Sequence, residues 1–270
     1  MNSKGQKIAL LVIDPQNDFC SPNGSLYVAG STEDNLRLSA WIDKNKSDID
    51  QLFVTIDTHH VLDISHPKFW KDLENHHPEP FTIIKAQDVI DGTWSTSYPF
   101  FNEGVVLSYL QKLEEEKEFS HCIWPEHCII GTWGQAIDDN INESIKNWVL
   151  SGVDARFVSY ISKGAHPMTE HFGAFKSQVA VKGAPDTEIN VRLIEHLDKF
   201  DVIYLAGQAK NLCVANSLKQ IMDLSQTVAK KFVVLEDTMS NVGGGFENIA
   251  DHIFERAKEM GIKFVNTSEI

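Results

Sequence analysis

This 270-residue chain predicts an α/β fold: a single doubly wound, mostly parallel sheet with helices on both faces. Three observations carry that reading. Short apolar runs recur along the chain, helical patterns separate them, and several of the runs end on a charged or catalytically competent residue. Alternating strand and helix signals supply the crossovers that parallel strands require.

The first apolar run, 7–13, is stopped by Asp14-Pro15, and the second, 51–56, by Asp57. Further runs lie at 155–161, 201–206, 231–235 and 262–265, and their lengths suit buried strands. Helical patterns fall at 33–44, 134–149, 188–199, 213–224 and 246–260; in the third, Ile189, Leu193, Ile194 and Leu197 share one face. Between Asp57 and Gly131 the pattern weakens: residues 63–101 mix His, Pro, Trp and acidic residues before a helical stretch at 104–116. This part, about 63–120, reads as an insertion over the strand ends within one domain spanning 1–270. No internal repeat or linker-like tract divides the chain.

The net charge is −14, from 24 Lys and Arg against 38 Asp and Glu, and such a field repels phosphate backbones and anionic membranes. Nucleic acid and membrane partners are therefore not expected. No apolar run reaches the roughly 18 to 20 residues of a membrane helix, and the N-terminus lacks the order of a secretory signal, so the expected location is cytoplasmic. The four cysteines, Cys20, Cys122, Cys128 and Cys213, form no C-x-x-C pair and are too sparse for a disulfide scaffold. Each is expected to be a reduced thiol.

Sheets of this kind place their sites at the carboxyl ends of the strands, where Asp14, Asp57, Lys163 and Cys213 all fall. Cys213 follows a buried run and the small residues Ala206-Gly207, and it opens a helical pattern. That position favours a thiolate and offers backbone amides to an oxyanion. Asp14 could serve as general base to a thiol if burial raises its pKa. Lys163 could hold a carboxylate and a thiolate electrostatically. Asp57-Thr58-His59 and the distant Trp124-Pro125-Glu126-His127-Cys128 supply a carboxylate and two imidazoles, a donor set that suits zinc or another divalent metal. Taken singly, each motif also has a structural explanation: a core cysteine, a strand-ending turn, a solvated lysine. His60, His66, His76 and His77 are expected at the surface.

Taken together and in order, the motifs resemble the isochorismatase-like cysteine hydrolases, most closely their nicotinamidase branch. The resemblance rests on Leu11-Val12-Ile13-Asp14-Pro15-Gln16-Asn17-Asp18-Phe19, Ser21-Pro22-Asn23-Gly24-Ser25-Leu26, Trp124 to Cys128 with Gly131-Thr132, and Gly207 to Cys213-Val214. It implies a triad of Asp14, Lys163 and Cys213 and metal ligands Asp57, His59 and His127. It also implies a non-proline cis peptide at Gln208–Ala209 that aims the amides of Ala209 and Cys213 at the oxyanion. Phe19 and Trp124 would sandwich a substrate ring. The implied reaction is hydrolysis of a small amide, nicotinamide first, through a Cys213 thioester, with a metal holding the pyridine nitrogen. Members of the family commonly form homo-oligomers.

The sequence departs from the family in several places. The usual Asp-Trp-His-Pro is Asp57-Thr58-His59-His60, the usual Ser-Ala-Phe is Gly173-Ala174-Phe175, and Lys210-Asn211 replace residues that are commonly Thr and Asp. His127 also follows Asp57 at an unusual distance. These departures keep open a metal-free amidase or ureide hydrolase acting on another small amide, and a catalytically silent binding protein.

Overall fold

In the computed structural model, which describes residues 5–98, 103–116, 120–152 and 156–270, a six-stranded parallel sheet forms the centre of the molecule. The chain runs through β1 (Ile8–Ile13), the single turn α1 (Asn17–Cys20), α2 (Ser31–Asn45) and β2 (Gln51–Asp57). The intervening segment holds β3 (Trp70–Lys71), β4 (Ile83–Ile84), α3 (Ala86–Ile90), β5 (Ser95–Thr96), α4 (Glu103–Glu116) and β6 (His121–Cys122). Then come α5 (Asp139–Ser151), β7 (Ser159–Lys163), α6 (Val191–Leu197), β8 (Val202–Gly207), α7 (Ala215–Leu224), α8 (Gln226–Ala229), β9 (Phe232–Leu235), α9 (Asp251–Glu259) and β10 (Lys263–Val265). The strand order is β10-β9-β8-β1-β2-β7.

Residue alternation along β1 decides what each face carries. Ala9, Leu11 and Ile13 join a core with Leu193 and Leu197 of α6, Leu218 and Ile221 of α7, and Ile253 and Ala257 of α9. Leu10 and Val12 point the other way, toward Leu38, Trp41 and Ile42 of α2 and Ile141, Ile145 and Trp148 of α5. All six residues of β1 are buried, which is why this strand reads as an unbroken apolar run.

The register brings the strand ends level. Ile13 pairs with Gly207 and Asp57 with Lys163, so β1, β2, β7 and β8 finish along one edge of the sheet. Gly207 permits the crossing there. Its φ is +113°, and a Cβ would collide with the backbone of Ile13.

The insertion builds a hydrophobic cluster of its own, with Ile64, Phe69, Trp70, Tyr109, Leu110 and Leu113 packed on Met168 and Val179 beyond β7. Two small antiparallel ladders, β3 with β5 and β4 with β6, brace it. Residues 99–102 and 117–119 of the insertion lie outside the described residues.

Several expected boundaries move. The helix expected at 134–149 starts at Asp139, because the Gly134 and Ala136 carbonyls accept the amides of Asp18 and Asn17; Asp138 then caps it, accepting from Asn140 and Ile141. The helix expected at 188–199 is confined to α6, capped by Asn190, and Ile189 lies outside it and exposed. The helix expected at 246–260 begins only at Asp251. The strand expected at 155–161 starts at Ser159 and reaches Lys163, while Ala155 lies outside the described residues. Among the described residues, no helix is long and apolar enough to cross a membrane.

Gly207→Ala should destabilise the protein at least as much as a large-to-small core substitution, about 2–5 kcal/mol, as read by urea unfolding. Unchanged stability would mean that the β1–β8 crossing is not as tight as described.

Candidate active site

The sheet edge delivers a buried ammonium to two carboxylates. Lys163 ends β7, is buried, and places Nζ 2.8 Å from Asp14 Oδ2 and 3.0 Å from Asp57 Oδ1. It also donates to the His171 carbonyl at 3.0 Å and lies 3.7 Å from Cys213 Sγ. Burial alone would lower its pKa, but Asp14 and Asp57 raise it well above the usual lysine value, so it stays charged. Gly164 follows, with φ +77° and its backbone packed against Asp57 Oδ1 at a spacing that a side chain would violate.

Asp14 lies one residue beyond β1, at φ +43°, a left-handed conformation uncommon for a residue with a side chain. Thr55 of β2 fixes it: the Asp14 amide donates to Thr55 Oγ1 at 2.9 Å, and that hydroxyl donates to Asp14 Oδ1 at 2.5 Å. Burial pushes the Asp14 carboxyl up, against the pull of Lys163. Asp57 goes the other way: burial would raise it, but Lys163 and His59 together hold it well below the usual carboxylate range.

Cys213 sits in a π-helical turn, Lys210–Val214, that leads into α7, so it precedes the α-helix instead of opening it. Burial pushes its thiol well up, more than Lys163 lowers it, and the nearby Asp14 carboxylate raises it further. Desolvation thus outweighs the cation and favours the thiol form of Cys213. The Gln208–Ala209 peptide bond is cis, as the resemblance implies.

On the far side of Lys163, Asp57, His59 and His127 are buried, with one potential ligand atom from each lying within 4.8 Å of the others. His59 Nε2 is 3.1 Å and His127 Nε2 3.8 Å from the same oxygen, Asp57 Oδ2. Their other ring nitrogens are engaged elsewhere. His59 Nδ1 lies 3.1 Å from Asp63 Oδ2, and His127 Nδ1 lies 2.8 Å from the Pro125 carbonyl. Two imidazoles oriented from behind, with their Nε2 atoms converging on a carboxylate oxygen, fit a divalent metal.

Sequence reasoning placed His66 at the surface, and the structure buries it: its ring centroid is 5.1 Å from that of His59 and 5.2 Å from that of His127. The insertion folds it inward, and burial then lowers its pKa to about 4. His60, His76 and His77 are exposed as expected. Other contributors were also missed. Gln16 brackets Asp57, donating to its carbonyl at 2.8 Å and accepting its amide at 2.6 Å. Asp18 accepts the Cys128 amide at 2.7 Å and so ties the first motif to the His127 loop. Glu170 is buried, pushed up to about 8 by desolvation, and accepts from the Trp124 indole at 3.2 Å. A polar residue inside an apolar run was the available signal for Thr55; none marked Glu170.

Phe19 and Trp124 line the same region. Phe19 meets His127 edge-on at 5.4 Å, and Trp124 packs against Phe172 at 6.4 Å and Phe246 at 5.5 Å between ring centroids.

Removing the ammonium would leave two buried carboxylates facing each other. Lys163→Met should cost about 3–5 kcal/mol of stability, and adding Asp14→Asn should recover part of it, as a urea double-mutant cycle would read. Equal stability of Lys163→Met and wild type would refute the buried ion network.

No protein-family model matches the chain. The nicotinamidase of Saccharomyces cerevisiae is 28% identical over 205 residues, covering 76% of each chain. Among solved structures, that yeast nicotinamidase bound to the inhibitor nicotinaldehyde aligns over 96% of this chain and 99% of its own, with TM-score 0.64 and 22% identity. A nicotinamidase/pyrazinamidase of Acinetobacter baumannii aligns over 98% of both chains, with TM-score 0.62 and 20% identity. A Pyrococcus horikoshii pyrazinamidase in complex with zinc covers 96% of this chain and 99% of its own, with TM-score 0.55 and 19% identity. The chain is thus similar in sequence to a nicotinamidase and shares the fold of solved nicotinamidases.

Proposed function

We propose that this chain is an amidohydrolase that converts nicotinamide to nicotinate and ammonia through a thioester on Cys213. The observation that carries the reading is the sharing of Lys163 between an Asp14–Cys213 pair and an Asp57–His59–His127 cluster. The nicotinamidase relatives support the choice of substrate.

In this mechanism Asp14 takes the Cys213 proton as sulfur attacks the amide carbonyl. Lys163 Nζ, 2.8 Å from Asp14 Oδ2 and 3.7 Å from Cys213 Sγ, holds the two groups on one cation for that transfer. The oxyanion is received by the backbone amides of Ala209 and Cys213, donors whose loss in such sites costs about 2.7–4 kcal/mol of barrier. Asp14 then gives its proton to the departing ammonia, and the same carboxylate activates the water that hydrolyses the thioester. Lys163 keeps its proton throughout and steadies whichever of Asp14 and Cys213 is charged.

Asp57, His59 and His127 would hold the divalent metal, zinc in the first place, which supplies a Lewis-acid position for the ring nitrogen. Phe19 and Trp124 would take the faces of the ring. The same reading takes 1–270 as one domain with an insertion at about 63–120, and the enzyme as a cytoplasmic homo-oligomer.

Purified protein supplied with zinc should release ammonia from nicotinamide, and Cys213→Ala should lose turnover while keeping a native circular-dichroism spectrum. No ammonia from the wild type, or full activity in the variant, would reject the reading. The acid limb follows from the sign of the Asp14 shift. The base must be ionised, its pKa lies above the usual 3.8, and so kcat/KM should fall at a pH above the ordinary aspartate range. A pH–rate profile checks this, and an acid limb at or below pH 3.8 would contradict it.

A further inference from the structure

Asp34 lies in the first turn of α2, outside the triad and the metal cluster, yet it is buried and bound to the segment that leads to the nucleophile. Its Oδ2 accepts from Gln208 Nε2 at 3.0 Å and from Ser240 Oγ at 2.6 Å. Its Oδ1 accepts from Arg37 Nη2 at 2.6 Å, and Arg37 is anchored in turn on the Asp237 carbonyl. Gln208 and Ser240 close a ring of contacts around this carboxylate. The Ser240 amide donates to Gln208 Oε1 at 3.1 Å, and the Ser240 carbonyl accepts the Lys210 amide at 2.8 Å. The Gln208 amide donates to Ile13 O at 2.8 Å, one residue before Asp14.

The bonds therefore end on both sides of Ala209, at Gln208 and Lys210, and the turn bearing Cys213 begins at Lys210. The first turn of α2 also reaches the ring-binding segment, through Ser31 Oγ on the Phe19 carbonyl at 3.0 Å and Thr32 Oγ1 on the Cys20 carbonyl at 3.0 Å. Space is tight at the hub: a Cβ on Gly30 would lie 2.6 Å from Ser240 Oγ. A carboxylate suits the position because it must accept from three donors at once, which a single amide oxygen cannot do.

We infer that Asp34 is a positioning residue for the proposed hydrolase: through Gln208 and Ser240 it sets the Gly207–Val214 backbone, and so the aim of Cys213 and the Ala209 amide, from the helix that also holds Phe19. It touches no reacting atom. Its loss acts on the barrier, since displacements of about 1 Å in a reacting group can cost about 100-fold in rate.

The inference rests on the functional reading above, and the experiment separates the two. Wild type, Asp34→Ala, Asp34→Asn and Ser240→Ala are compared for ammonia release from nicotinamide, for binding of nicotinaldehyde and of nicotinate, and for alkylation of Cys213 by iodoacetamide. In Asp34→Ala, kcat should fall about 10- to 100-fold with KM within about 3-fold. Binding of the aldehyde, whose carbonyl carbon takes the sulfur as the thiol proton passes to Asp14 or the new oxygen, should weaken in parallel. Binding of nicotinate should not change. Asp34→Asn can turn its oxygen to Gln208 and Ser240 and its amide toward the half-exposed Arg37, so it should retain most of the activity. Ser240→Ala should be intermediate, and it carries the test if Asp34→Ala does not fold. A folded Asp34→Ala or Ser240→Ala with wild-type kcat and aldehyde affinity overturns the inference. If the wild type itself leaves nicotinamide intact, the functional reading fails, and alkylation decides this one: slowing of at least about 5-fold in Asp34→Ala supports it, and an unchanged rate rejects it.

Discussion

A buried ammonium needs buried anions, and the site is organised by that requirement at Lys163. Its neighbours are Asp14, just beyond β1, and Asp57, the last residue of β2, and the parallel register of β1, β2 and β7 puts all three at one sheet edge. With the charge of Lys163 fixed, the two carboxylates diverge. Burial raises the Asp14 carboxyl above the usual carboxylate value, whereas Lys163 and His59 hold Asp57 well below it. One strand-end lysine thus lies between Asp14 and Cys213 on one side and the Asp57–His59–His127 cluster on the other.

Much of this was legible in the sequence because its cause is local. The six apolar runs correspond to the six sheet strands; the run at β1 is unbroken because that strand is buried on both faces, whereas the edge strands β7 and β10 are partly exposed. Asp14, Asp57 and Lys163 could be placed because each ends such a run. Helix starts were less legible. The stretch before α5 has a helical pattern, yet its carbonyls serve Asn17 and Asp18, a long-range competition that no window of sequence displays. Residues recruited by the insertion were hidden for the same reason. His66 and Asp63 sit beside a weak pattern, and only the folded insertion turns them toward His59.

The motif from Asp14 to Phe19 shows how one short segment ties the halves together. Asp14 pairs with Lys163, Gln16 brackets the backbone of Asp57, Asp18 holds the amide of Cys128, and Phe19 makes a T-shaped contact with His127. The turn bearing Cys213 is held by Asn211, which accepts the Val242 amide and donates to the carbonyls of Val242 and Phe246. Both sides of the site are therefore set by hydrogen bonds to backbone, an arrangement that resists small displacements of the side chains it carries.

The central claim is that the amide carbon becomes bonded to Cys213 before water reaches it. Turnover of nicotinamide in the presence of hydroxylamine tests it most directly, because a thioester partitions between water and the added nucleophile. The account predicts nicotinohydroxamate formed at the expense of nicotinate, with Cys213→Ala giving neither product. Nicotinate formation undiminished by hydroxylamine, with no hydroxamate, would mean direct attack by water and would contradict the assignment of Cys213.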